Sequence, residues 1–182
     1  MRKVVAVEFV SVDGVMEAPE DWAFSYTNDE MEEANASGMA ASDALLLGRV
    51  TYEQMAVFWS NRSGGVPMVD YMNTVSKHVV SRTLEESLGW NNSTLIGENV
   101  AEGITRLKQQ PGKDIAILGS GTLVRSLLKD DLLDELRLII HPNVLGSGKR
   151  HYEDEGQRKP LELVDSKTFA TGVLYLTYRP AR

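Results

Sequence analysis

Apolar residues fall along this chain in two alternating rhythms. Short runs of four to seven, of strand length, are separated by stretches with the three-and-four spacing of a helix. Val4 to Val10 reads as the first strand, and Asp13-Gly14 as a turn. Residues 12–27 show little periodicity and form a long loop. Thr27-Asn-Asp-Glu30 has the form of a capping box and opens a helix to about Ser42. Ala44–Leu47 is a strand and Thr51–Val57 a short helix. Trp59–Val66, with Asn61, Ser63, Gly64 and Gly65, reads as a loop. Val69–Thr74 is helical, and Lys77–Ser81 and Ser93–Gly97 are strands. Asn99 is placed to cap a helix whose Val100, Ile104 and Leu107 share a face before Pro111-Gly112 stops it. Asp114–Leu118 is a strand running into a helix from Ser120 to about Lys129, and Leu136–His141 is another strand. Leu161–Phe169 and Val173–Arg179 form a hairpin across Ala170-Thr171-Gly172. Alternating β and α with a closing hairpin predicts an α/β fold of three layers, α/β/α. Its central sheet is mostly parallel with an antiparallel edge.

Three strand ends carry the candidate chemistry. Ile115-Ala-Ile-Leu118 enters Gly119-Ser120-Gly121-Thr122 and then a helix with Leu123, Val124, Leu127 and Leu128 on one face. Such a passage exposes backbone N–H groups at a helix start, which favours a phosphate. It also fits a plain tight turn with Ser120 as N-cap. Ala44–Leu47 ends in Gly48-Arg49-Val50-Thr51, and Lys77–Val80 ends in Ser81-Arg82-Thr83. Ligands of open α/β sheets sit beyond the carboxyl ends of the strands. Two arginines there, able to grip phosphate through paired hydrogen bonds, fit a dinucleotide carrying an extra phosphate, and so NADPH before NADH.

Composition narrows this further. The 182 residues are simplest as a single domain spanning 1–182. A formal net charge of −7 argues against a nucleic-acid partner but not against a nucleotide in a local positive pocket. No cysteine is present, which excludes disulfides, thiolate catalysis and zinc–thiolate sites. His78, His141 and His151 lack metal-ligand spacing, so no metal is expected. No run is long enough to span a membrane, and Glu8, Ser11 and Asp13 interrupt any secretory core. A cytoplasmic location is the expectation.

The glycine pattern is not that of a Rossmann fingerprint, because Val124 stands where the third glycine belongs, nor of a Walker A loop. Taken together, five motifs in order resemble the dihydrofolate reductase fold, and more closely the reductase domain of riboflavin biosynthesis and its stand-alone relatives. They are Ser11-Val12-Asp13-Gly14, Leu47–Glu53, Val80-Ser81-Arg82, Gly119–Leu123, and Asp134-Glu135-Leu136 continuing to Pro142–Gly148. That resemblance implies NADPH across the carboxyl edge of the sheet. Gly48, Arg49 and Thr51 would meet the pyrophosphate, and Ser81 and Arg82 the 2′-phosphate. Gly119, Ser120, Gly121, Thr122 and Leu123 would lie along the pyrophosphate and nicotinamide. It further implies hydride transfer to a heterocyclic small molecule and a homodimer, for which the hairpin's apolar faces are suited.

Asp13 is the candidate proton source, or else the first half of an Asp-Gly turn; Glu17, Asp21 and Glu30 are weaker. Trp22 and Trp59 either wall a flat heterocycle or simply pack a loop. Lys149 and Arg150 either hold a substrate phosphate or belong to a solvated loop. A non-catalytic protein that keeps the cofactor cleft is the alternative reading.

Overall fold

The computed structural model describes residues 1–85, 87–152 and 158–181. Eight strands join one sheet in the order β4-β3-β2-β5-β1-β6-β8-β7. They are β1 (Val4–Ser11), β2 (Ser42–Gly48), β3 (Ser76–Val80), β4 (Ser93–Ile96), β5 (Asp114–Leu118), β6 (Glu135–His141), β7 (Leu161–Thr168) and β8 (Leu174–Pro180). Strands β1 to β6 are parallel, and β8 and β7 are antiparallel additions at the edge. The expected three-layer α/β fold with a C-terminal antiparallel hairpin is the one observed.

Five helices cover the two faces: α1 (Asp29–Ala41), α2 (Arg49–Trp59), α3 (Pro67–Thr74), α4 (Val100–Gln109) and α5 (Gly121–Lys129). The amphipathic stripes of α4 and α5 settle the first face. Ile104, Leu107, Leu123, Val124, Leu127 and Leu128 pack on Val4, Ala6, Ala44, Leu46, Ile115, Ile117 and Leu136. The opposite face is divided in two. Under α2 and α3, Leu45, Leu47, Tyr52, Met72, Val79 and Trp90 form one cluster, and beneath α1 a smaller one gathers Met31, Ile139, Phe169 and Val173.

Of three expected caps, one stands at a different residue and two stand in place without a capping bond from the side chain. The cap of α1 is Asn28 rather than Thr27, its side chain accepting from the Met31 amide at 3.0 Å. Glu30 is used twice, accepting from Asn28 Nδ2 at 2.9 Å and from the Ala170 amide of the hairpin turn at 2.7 Å. A tertiary partner has therefore drawn the box one residue along. Asn99 does sit at the start of α4, but in a left-handed conformation (φ 48°) with no capping bond from its side chain. Ser120 likewise precedes α5 without capping it, and its hydroxyl has another task, described below.

The loop over residues 12–27 contains two short 3-10 turns, Pro19–Asp21 and Phe24–Tyr26. It is bound to the segment after β6. Val12 N donates to Asn143 O at 2.8 Å, Met16 N to Lys149 O at 2.9 Å, and His151 N to Gly14 O at 2.9 Å. A side chain on Gly148 would lie 2.7 Å from Val15 Cγ1, so this close approach of two loops requires a glycine there.

Candidate functional site

Parallel pairing brings the ends of β1, β2, β3, β5 and β6 to one edge, and with them Ser11, Gly48, Ser81, Gly119 and His141. The turns after β2 and β5 are stitched together. Gly48 N donates to Ser120 Oγ at 3.1 Å, and Thr51 Oγ1 donates to Gly119 O at 3.0 Å. Gly119 has φ 64°, a left-handed conformation that suits glycine. Gly48, Thr51, Gly119 and Ser120 are therefore together, as the sequence implied, but their polar groups hold each other.

The first turn of α5 remains without a side-chain cap. Its N–H groups are the ones an anion would meet. Gly121 is also closely covered: a Cβ there would stand 2.5 Å from Met16 Sδ, so the flexible Met16 side chain would have to shift. The loop after β1 thus lies over the start of α5. Leu123 is in the core, leaving only its backbone for a ligand. Thr122 is exposed, and its hydroxyl accepts from Arg125 Nη2 at 3.3 Å and Lys149 Nζ at 3.5 Å. Two cations converge on one hydroxyl at a helix N-terminus, and Arg125 was not among the residues singled out in the sequence.

The arginines after β2 and β3 differ in commitment. Arg49 Nη1 lies 3.0 Å from Glu53 Oε2, four residues on, and both side chains are nearly half exposed. A pair of this kind is weak and exchanges readily with solvent or ligand. Ser81 is buried and caps its own turn, its Oγ accepting from the amides of Thr83 and Leu84 at 3.1 Å each. Arg82 projects beside it, exposed.

Asp13 is a loop anchor. Its carboxylate accepts from Ser11 Oγ at 2.6 Å, Leu145 N at 3.1 Å and Gly146 N at 2.8 Å, with Arg150 Nη2 3.9 Å away. The Ser11 hydroxyl and these two amides favour the charged form and lower its pKa to about 2. A carboxyl held ionised in this arrangement fits the Asp-Gly turn reading of Asp13. Glu17 is similarly spent, accepting the Lys149 amide at 3.0 Å, and Asp21 is exposed. Arg150 donates through Nε to Asp13 O at 3.1 Å, which makes it part of the same loop clamp.

On the α1–α3 face a small cleft of about 70 Å³ lies over the sheet. Val7, Ala116 and Leu118 line its floor, Ala34 and Gly38 of α1 and Tyr71 of α3 form walls, and Ser42 and Asp114 line it toward the amino ends of β2 and β5. Nearer the carboxyl edge, at the end of β6, His141 is wholly buried, with Phe9, Trp22 and Tyr26 packed around the ring at centroid distances of 5.1, 5.4 and 5.8 Å. Its Nδ1 lies 3.0 Å from Ile139 O, and burial pulls its pKa down, keeping the ring neutral. Trp22 accordingly packs on His141, whereas Trp59 stacks edge-on to Phe58 and packs into the α2–α3 cluster.

One buried carboxyl, Glu8, entered the sequence reading only as a break in any secretory core, not as a site residue. It lies on β1 between Ala6 and Val10 and is fully buried under the start of α5. The signal was available: an acid at a core-facing position of an alternating strand is rare without a task.

Among the described residues no helix is long and apolar enough to cross a membrane, and no cluster of His, Asp and Glu has the makings of a metal site. The chain is 39% identical over 107 residues to the uncharacterized protein YyaP of Bacillus subtilis, an alignment covering 59% of this chain and about half (56%) of that one. It is 31% identical to the uncharacterized protein YwjB of the same organism over 176 residues, 94% and 95% of the two chains. Among solved structures, a Shewanella sp. PV-4 protein named for riboflavin biosynthesis superposes with a TM-score of 0.79 at 21% identity, each chain covered completely. A pyrimidine reductase-like protein of Corynebacterium diphtheriae gives 0.71 at 13% identity, covering 100% of this chain and 92% of that one. The Thermotoga maritima diaminohydroxyphosphoribosylaminopyrimidine deaminase/5-amino-6-(5-phosphoribosylamino)uracil reductase gives 0.70 at 14% identity. There 99% of this chain matches 57% of the longer protein. The model of the RibD C-terminal domain matches residues 2–175, and the chain belongs to that family.

Proposed function

We propose that this protein is an NADPH-dependent reductase that transfers a hydride to a heterocyclic small molecule, similar in kind to 5-amino-6-(5-phosphoribosylamino)uracil reductase. The observation that carries this reading is a single edge where an uncapped helix start and two arginine-bearing strand ends come together, with an apolar cleft on one face of the same sheet. The residues present fit the cofactor. The first turn of α5 (Gly121, Thr122, Leu123), with Arg49 nearby, would take the pyrophosphate. Ser81 shapes the turn that presents Arg82 to a 2′-phosphate. Gly48, Thr51, Gly119 and Ser120 fix the relation of the two turns through their mutual bonds and so set where the pyrophosphate lies.

The cofactor, when bound, supplies the hydride; the chain orients, excludes water and holds charge. Val7, Ala116 and Leu118 offer a flat apolar floor for a heterocycle. Trp22 and Tyr26 pack on His141 toward the carboxyl edge, and Asp13 holds the two loops there in register. The protein works in this reading as a cytoplasmic homodimer. The outer hairpin strand β7 is exposed along nearly its whole length, and Leu163 and Val164 supply apolar contact. A cofactor-binding protein without turnover is the second reading, favoured by the commitment of Asp13 to its loop.

Titration with NADPH and NADH, followed by loss of NADPH absorbance over a panel of pyrimidines and pterins, tests both readings. Preferential NADPH binding with turnover supports the reductase, and binding without turnover supports the alternative. Absence of any binding overturns both.

A further inference from the structure

The start of α5 has two sides, and they differ in kind. Toward solvent, Arg125 and Lys149 converge on the Thr122 hydroxyl beside uncapped backbone amides. Toward the core, Glu8 faces the Ser120 amide at the head of the helix. Its side chain is fully buried, and neither carboxyl oxygen has a hydrogen-bond partner among the described residues. A carboxylate so placed is strongly disfavoured. Burial raises the Glu8 pKa to about 8 against the opposing pull of the Ser120 amide.

Apart from Arg125, the titratable groups beside it among the described residues are neutral at pH 7. His151 is buried with both ring nitrogens unpartnered among the described residues, and burial and then Arg125 lower its pKa to about 4. Tyr152, stacked on His151, is pushed up to about 12 by burial and by Glu8. Arg125 donates to the His151 carbonyl as well as to Thr122. On the sheet, the register partner of Glu8 is Leu138 of β6, and its neighbours on the same strand face are Ala6 and Val10. At neutral pH the core side of the helix terminus is therefore uncharged.

We propose that Glu8 is a positioning residue for the anion site at the start of α5. Its uncharged carboxyl leaves the helix terminus free to take a cofactor phosphate, and its ionisation sets a fixed negative charge against that phosphate. This rests on the NADPH reading above. Phosphate and proton are then linked: a bound phosphate makes Glu8 harder to ionise, so binding above neutrality takes up a proton. Affinity falls as the pH rises past the point where the free protein loses that proton. The asymmetry explains why an acid is tolerated in a strand whose other residues on that face are apolar.

Calorimetric titration of the full chain with NADPH from pH 7 to pH 9, in two buffers of different ionisation heat, tests the proposal. A cofactor phosphate with a second pKa of about 6 has finished titrating over that range. The wild-type dissociation constant is expected to rise about tenfold between pH 7 and pH 9, with net proton uptake on binding. Glu8→Gln, which keeps the shape of the neutral acid, is expected to hold one value across the range and take up no proton. Equal slopes in the two proteins, or no proton uptake by wild type, overturns the proposal while leaving the cofactor reading intact. Failure of wild type to bind NADPH at every pH overturns the cofactor reading itself. The wild-type proton count needs no variant, so the test stands even if Glu8→Gln does not fold.

Discussion

The two faces of the sheet are built from the same strands and do different work. On β5, Ile115 and Ile117 point to α4 and α5 and are completely buried, whereas the alternate residues Ala116 and Leu118 are partly exposed. On β1, Val4 and Ala6 are completely buried on the same side, while Val7 and Phe9 on the other are not. The α4–α5 face is sealed; the α1–α3 face is parted by a small cleft. Away from the carboxyl edge, where Glu8 and the start of α5 adjoin the proposed anion site, a change on the sealed face is expected to act on folding, and a change on the open face on ligand.

The sharpest way to break this comparison is Leu127→Ala on the sealed face. Leu127 is 1% exposed, and the loss is expected at about 2–5 kcal/mol in denaturant unfolding. Leu118→Ala on the open face should cost less, roughly 1–2 kcal/mol. Equal losses at the two positions would mean that the faces are not distinct.

Glu8 makes the sealed face pH-dependent. Burial on folding raises its pKa from the ordinary 4.5 to about 8. The folded state therefore holds the proton more tightly. The contribution is fully present below the unfolded value and is lost as pH rises through about 8. Wild-type stability should decline by a few kcal/mol over that window. Glu8→Gln should remove the decline, and a matching decline in the variant would refute the assignment.

Arg82→Ala tests the open edge. Loss of one charge-assisted contact to a phosphate is expected to weaken NADPH about tenfold and leave NADH unchanged. Equal weakening of both would remove the 2′-phosphate from that position.

The smallest effect belongs to the loops. Asp13 has a lowered pKa of about 2, so its clamp on Leu145 and Gly146 is complete above pH 4 and released as pH falls through about 2. Trp22 fluorescence should report that release, and Asp13→Asn, which has no carboxyl to ionise, should remove the transition. A signal unchanged in the variant would show that Asp13 does not hold the loop.

The strands and the α4 and α5 stripes were legible because their causes are local. Residues four apart on α5, such as Leu123 with Leu127 and Val124 with Leu128, declare their face whatever they later touch. The glycine turn after β5 was legible too. Its occupancy was not: that the Gly48 amide would meet Ser120 Oγ, or that Met16 would lie over Gly121, depends on residues 72 and 105 positions apart in the chain. The capping of α1 moved to Asn28 because Glu30 found the hairpin turn at Ala170. Asp13 resembled an acid in search of a substrate because two of its three donors, and the nearby Arg150, come from the loop beyond β6.

The sequence by itself determined which segments are strands and helices, that the sheet is mostly parallel with a final hairpin, and which strand ends carry arginine, glycine and hydroxyl groups. Periodicity and backbone chemistry fix these within a few residues of chain. Only the tertiary structure decided which polar groups at the edge are already engaged, which face is open, and which carboxyl keeps its proton. Those properties arise from burial and from partners distant in sequence, and neither is written in local pattern.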